Sequence, residues 1–267
     1  MSYIELENVD FVYPNGFQAL EQVHIQIEKG ENIAIIGQNG AGKTTTVKLM
    51  NGLLKPTGGD VKIDGLNTKD YTTAQIARKV GYVFQNPDEQ IFHNTVIEEI
   101  EFGPKIMKYE EAKKKELVEK ALYLTGLEAY KDVNPYNLPL SIRKLVSIAS
   151  VIATDTDALI YDEPTAGQDL YGIRVLENIL SKLEKEGKTQ ITITHDMEFA
   201  AKNFKKVIVM AHKNVLCTDE PREVFWKREL LKESMLKQPY ISAVAAGLGL
   251  SGKILFAEEL VKAVTRG

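Results

Sequence analysis

Ile33-Ala34-Ile35-Ile36 runs directly into Gly37-Gln38-Asn39-Gly40-Ala41-Gly42-Lys43-Thr44, and the fold is decided there. The apolar, largely β-branched run is the pattern of a strand buried on both faces of a parallel sheet. The residues after it match the complete phosphate-loop pattern. Its glycines let backbone N–H groups close around phosphate oxygens, Lys43 reaches the β- and γ-phosphates, and Thr44 offers a hydroxyl to Mg²⁺. A helix is expected from about Lys43 to Leu54, with its positive end beneath the phosphates. The expected nucleotide contacts are therefore Gly37, Gln38, Asn39, Gly40, Ala41, Gly42, Lys43, Thr44 and Thr45, with ATP and Mg²⁺ as ligands.

Outward from that loop, apolar residues alternate at Ile4 and Leu6 and again at Val23, Ile25 and Ile27, which predicts half-exposed antiparallel strands. A strand turning at Asp64-Gly65 and another over 80–84 follow the loop, and apolar strands recur over 158–161, 191–194 and 207–210. Gly172, Leu176, Ile179, Leu180 and Leu183 lie at helical spacing between them, so strands and helices alternate as in a parallel α/β sheet. Residues from about 94 to 154 read as a helical subdomain inserted in that sheet. The strand 158–161 ends in Asp162-Glu163, at the sheet edge where ligands of open α/β sheets gather. Asp162 is expected to hold the Mg²⁺ shell through water, and Glu163 to polarise the water that attacks the γ-phosphate.

Composition narrows the field. The chain has 267 residues, 44% hydrophobic and 26% charged, which supports one sizeable core or one core with a small appendage. No stretch approaches the roughly 20 apolar residues that span a bilayer, and Met1-Ser2-Tyr3-Ile4-Glu5 has no secretory character. Cys217, the single cysteine, excludes an internal disulfide and reads as a small buried apolar residue. A net charge of −4 leaves no basic footprint, so no nucleic-acid partner is expected. Lys113-Lys114-Lys115 reads as part of a solvated helix face, with Glu111/Lys115 and Glu116/Lys120 as its pairs.

Further motifs carry a resemblance to ABC ATPases. Gln85, after Tyr82-Val83-Phe84, is similar to the glutamine that joins Mg²⁺ or the attacking water. Ile193-Thr194-His195-Asp196 resembles the switch segment whose histidine contacts the γ-phosphate, and Tyr13 resembles the aromatic that stacks on adenine. More narrowly, Gln85-Asn86-Pro87-Asp88-Glu89-Gln90-Ile91-Phe92, Thr95-Val96, Phe102-Gly103-Pro104, Asp162-Glu163-Pro164-Thr165-Ala166-Gly167 and Pro221-Arg222-Glu223-Val224-Phe225 resemble the ATPase component of energy-coupling-factor transporters and of cobalt and nickel importers. The matches run from Tyr13 to about Phe225. The resemblance implies an α/β fold of the ABC-type P-loop ATPase class, with a mixed sheet core, an antiparallel β subdomain, a helical subdomain and a small C-terminal helical appendage. It implies paired ATPases on the cytoplasmic face of the membrane, driving an integral-membrane coupling subunit and a substrate-binding membrane subunit that import a vitamin or transition-metal ion. The expected division is an ATPase domain over 1–215 and an appendage over 216–267, where Trp226, Leu230, Leu231, Phe256, Leu260, Val261 and Val264 recur at helical spacing.

One motif departs from the family. ABC proteins carry Leu-Ser-Gly-Gly-Gln at a helix start, where serine and glycine amides touch the γ-phosphate held by the other protomer. Here the aligned stretch is Leu138-Pro139-Leu140-Ser141-Ile142. Proline removes a hydroxyl and an N–H donor, Leu140 puts a side chain where close approach calls for glycine, and Ser141 alone remains as a candidate phosphate contact. Gln168 stands where the family usually has leucine, while Asp169 of the D-loop survives as a candidate contact. These departures damage a partner's site rather than the one built by Lys43 and Glu163, so a heterodimer with a second ATPase bearing an intact signature is expected. The alternative is a nucleotide-dependent regulatory or binding module that turns ATP over poorly.

Overall fold

The computed structural model describes residues 2–250 and 252–265. In chain order the elements are β1 Ser2–Val12, β2 Gln18–Glu28, β3 Asn32–Gly37, α1 Lys43–Met50, β4 Gly58–Ile63, β5 Leu66–Asn67, α2 Thr73–Ile76 and β6 Val80–Val83. Then come α3 Val96–Met107, α4 Glu111–Thr125, α5 Leu140–Ile152, β7 Ala158–Asp162, α6 Leu170–Lys185, β8 Thr189–Ile193, α7 Met197–Asn203, β9 Lys206–Ala211 and β10 Asn214–Asp219. Four helices close the chain: α8 Pro221–Trp226, α9 Arg228–Glu233, α10 Tyr240–Gly247 and α11 Ala257–Thr265.

The alternating N-terminal segments form an antiparallel sheet in the order β2-β1-β4-β5. The continuous apolar runs form a second sheet, β10-β9-β3-β8-β7-β6, parallel throughout except for the β9/β10 edge pair. Because β3, β6, β7 and β8 run the same way, their carboxyl ends all open on one edge, and the loops carrying Gly37–Lys43, Gln85, Glu163 and His195 meet there. β3 is buried along its whole length. Ile33 and Ile35 face a core shared with the antiparallel sheet, while Ala34 and Ile36 face a core shared with the helices. Each of the three isoleucines contributes roughly 1.5–3 kcal/mol by burial.

Between β6 and β7 the chain forms α3, α4 and α5. α3 opens with a capping box, Thr95 accepting from the Glu98 amide and Glu98 reaching back to the Thr95 amide. α4 stops at Gly126, which takes the left-handed conformation as its C-cap. α5 starts directly after Pro139.

Several expectations are corrected. α1 ends at Met50 rather than Leu54, and the chain turns at Gly52. The boundary expected at about 215 falls inside β10, which pairs with β9 as far as Asp219. Its residues are only half-buried, as befits an edge strand, so the apolar run that marks the inner strands is missing. Cys217, on that strand, is half-buried rather than buried, with Lys227 Nζ at 3.5 Å. On α4, Lys114 rather than Lys115 pairs with Glu111, at 2.8 Å, and Lys120 reaches across to Glu186 instead of Glu116. Within the C-terminal stretch Phe225, Leu231 and Leu255 join the main core, whereas Val261 and Val264 on α11 are exposed.

Candidate active site

The phosphate loop leaves β3 at Gly37 and enters α1 at Lys43. A methyl group on Gly37 would stand 2.2 Å from the Met210 carbonyl oxygen, and one on Gly42, whose φ is +100°, would stand 2.5 Å from Leu20 Cδ2. The close passage of the loop against β9 and β2 therefore requires glycine at both positions. Lys43 is buried, and its Nζ donates to the Gly37 and Gln38 carbonyl oxygens at 2.9 and 3.1 Å. Burial pulls the pKa of this ammonium down, while the Glu163 and Asp162 carboxylates oppose the shift.

Asp162 and Glu163 leave the end of β7 in different directions. Asp162 Oδ1 lies 3.5 Å from Thr44 Oγ1, and Oδ2 accepts a 2.7 Å hydrogen bond from the Tyr82 hydroxyl. Thr44 and Asp162 together offer two hard oxygen donors, the chemistry Mg²⁺ prefers, with phosphate and water oxygens left to complete its shell. Glu163 Oε2 accepts from the His195 amide at 3.2 Å. Its Oε1 is buried without a hydrogen bond, and His195 Nε2 stands 3.1 Å away. Burial pushes the Glu163 carboxyl up to about 7, against the pull of Lys43. His195 is lowered by burial and by the Lys43 charge, so its imidazole is neutral at neutral pH.

Asn39, Gly40, Gly42, Lys43, Thr44, Thr45, Gln85, Glu163 and His195 line one cavity of about 180 Å³. Gln85 borders it from the exposed loop after β6. Gln38 and buried Ala41 shape the loop itself, the Ala41 amide donating to the Gln38 carbonyl oxygen at 3.2 Å. Tyr13 stands beside the cavity, its hydroxyl 3.0 Å from Thr45 Oγ1 and its ring on edge to Phe11. Two expected residues are elsewhere: Ser141 lies in the first turn of α5, and Asp169 caps α6 by accepting from the Gly172 amide at 2.8 Å. The sequence reading missed Tyr82. A tyrosine inside a fully buried strand pattern was its signal, because a buried phenol needs a partner.

The family model for ABC transporters matches residues 20–166. The chain belongs to the ABC transporter ATP-binding proteins. These ATPases are coupled to transport, bind ATP, dimerise and work with membrane components. A protein of Pyrococcus furiosus, provisionally named an ABC transporter ATP-binding protein, is 39% identical over 98% of this chain and 99% of its own length. The energy-coupling factor transporter ATP-binding protein EcfA2 of Methanospirillum hungatei is 36% identical over 93% of this chain, which spans 63% of that longer protein. Among solved structures, cbiO1 of Clostridium perfringens, part of the cbiONQ complex, is 34% identical with a TM-score of 0.78, over 92% of this chain and 99% of its own. A dimeric ATP-binding cassette bound to ADP and Pi is 28% identical, with a TM-score of 0.75, over 82% of this chain and 98% of its own. Among the described residues of this ABC protein, no helix is long and apolar enough to cross a membrane.

Proposed function

We propose that this chain is the ATP-hydrolysing subunit of an energy-coupling-factor-type importer, held peripherally on the cytoplasmic face of the membrane and paired with a different ATPase subunit. The observation that carries the reading is the contrast between two parts of one molecule. Lys43, Asp162 and Glu163 build a complete half-site around a buried carboxylate oxygen that makes no hydrogen bond, while α5 opens with Pro139 and Leu140 in place of phosphate donors. The resemblance to EcfA2 and to cbiO1 points to a vitamin or transition-metal ion as the imported substrate.

In this mechanism the loop amides and Lys43 bind the β- and γ-phosphates of ATP. Thr44, Asp162 and Gln85 would hold Mg²⁺, which would neutralise the developing phosphate charge when bound. Glu163 Oε1 accepts a hydrogen bond from the attacking water and orients it toward the γ-phosphate, and Tyr82 keeps Asp162 from turning away. His195, neutral and half-exposed at the cavity rim, donates to the γ-phosphate as the pair closes. Tyr13 stacks on the adenine. An intact signature from the second subunit completes the site.

A second groove suits the membrane partner. It measures about 420 Å³ between α2, α3 and α5, with exposed Phe92, Phe102 and Ile106 on its walls, and Gln90 at its base ties the loop of Gln85 to α5. A coupling subunit seated there would move Gln85 and α5 together. The test is Glu163→Gln in the reconstituted complex. Loss of ATP hydrolysis together with transport is expected. Unchanged transport would instead favour the regulatory module, which binds nucleotide without needing turnover.

A further inference from the structure

Two polar side chains that the mechanism leaves unused join the altered signature to the backbone of the segment that carries Glu163 within the same chain. Lys144, on the second turn of α5, is 6% exposed among Leu145, Val146 and Ile148. A buried ammonium in an apolar helix face is costly unless its donors are satisfied. Its Nζ donates to the Glu163 carbonyl oxygen at 2.9 Å and to the Ala166 carbonyl oxygen at 2.7 Å. Gln168 makes the second link, its Nε2 donating to the Ser141 carbonyl oxygen at 3.1 Å. The Gln168 side chain lies where residue 172 has no Cβ: a methyl group there would stand 1.9 Å from Gln168 Oε1.

These contacts act on a strained segment. Glu163 has φ +50°, in the left-handed region that an ordinary side chain occupies at a cost on the order of 1 kcal/mol or more. Such a conformation persists when its surroundings over-determine it. Here the Glu163 amide donates to the Ile193 carbonyl oxygen at 3.0 Å, and the Glu163 carbonyl oxygen is gripped by Lys144. The amide partner is the last residue of β8 in the parallel sheet. The carbonyl oxygen also accepts from the Ala166 amide at 3.3 Å within its own segment, and its shorter bond, from Lys144, comes from α5, which carries the altered signature.

We propose that Lys144 and Gln168 are positioning residues that clasp segment 163–168 to α5 of the same chain and hold Glu163 in the left-handed turn that aims its carboxylate into the cavity. A signature stripped of its phosphate donors thereby keeps a role in cis. The inference rests on the ATPase reading for its catalytic consequence but not for the clasp itself. Burial lowers the pKa of Lys144, and the Glu163 and Asp162 charges offset part of that shift.

The experiment compares Lys144→Met, Lys144→Arg and Gln168→Leu in the full chain. Amide hydrogen exchange is followed over 163–169 and over 37–50 without nucleotide, and kcat and KM for ATP are measured with the partner ATPase. Lys144→Met is expected to speed exchange about tenfold over 163–169, leave 37–50 unchanged, and lower kcat about tenfold with KM within about twofold. Lys144→Arg, which keeps charge and donors, should recover most of kcat. Gln168→Leu introduces the residue usual in the family at a half-buried position, so it is a fold-safe second probe, and an effect of about threefold is expected. Unchanged exchange in both Lys144→Met and Gln168→Leu overturns the proposal, as does faster exchange with wild-type kcat. A wild-type complex that fails to hydrolyse ATP would defeat the ATPase reading alone, because exchange decides the clasp independently.

Discussion

Replacing Glu163 by glutamine should make the chain more stable as it disables it, and by an amount that grows with pH. The Glu163 carboxyl is raised from its ordinary 4.5 to about 7, with burial as the leading cause. At about 1.36 kcal/mol for each pH unit, the ionised side chain costs the folded state about 3 kcal/mol once the pH exceeds both values. The sign follows from proton counting. Between about 4.5 and 7 the folded state holds a proton that the unfolded state has released, so stability falls as pH rises through that window. Glutamine has no charge to desolvate, and it keeps an acceptor for the His195 amide. Urea unfolding of the nucleotide-free chain, with and without the substitution, measures the effect. The expected gain is under about 1 kcal/mol at pH 5 and about 3 kcal/mol at pH 8. A gain that does not vary with pH, or a loss at pH 8, would refute the reasoning that burial of this carboxylate sets its pKa.

The same carboxylate predicts that kcat/KM for ATP rises about tenfold between pH 6 and 8, since the water-orienting form is the ionised one; a flat profile would remove Glu163 from that role. Gly42→Ala forces a Cβ against Leu20 and the Ala19 carbonyl oxygen, so nucleotide binding should fall by at least about tenfold in equilibrium titration. Gln90→Ala deprives the Phe84 amide, the Ser147 carbonyl oxygen and Ser150 Oγ of one shared partner, and should cost about 1–3 kcal/mol in chemical denaturation.

Gly37 and Gly42 were legible because the backbone passes so close to its neighbours there that a Cβ would stand 2.2 and 2.5 Å from them. β3, β7 and β8 were legible because burial on both faces leaves an unbroken apolar run. β10 was not, since an edge strand covered on one side mixes polar and apolar residues, and Cys217 was misjudged with it. The parts of the site that depend on contacts between distant segments were also hidden. Nothing near Tyr82 in sequence announces Asp162, and nothing near Gln168 announces Ser141. Lys144 did leave a trace: a lysine on the inward face of an otherwise apolar helix signals a buried partner, here the Glu163 and Ala166 carbonyls.

The central claim is that this chain contributes a competent half-site and a crippled signature. The most direct measurement is steady-state ATP hydrolysis by the purified chain beside a variant in which Pro139-Leu140-Ser141-Ile142 is rebuilt as Ser-Gly-Gly-Gln. The account predicts little turnover by the chain alone and Glu163-dependent turnover by the rebuilt one. Brisk hydrolysis by the unmodified chain, rising with protein concentration as copies pair, would contradict it.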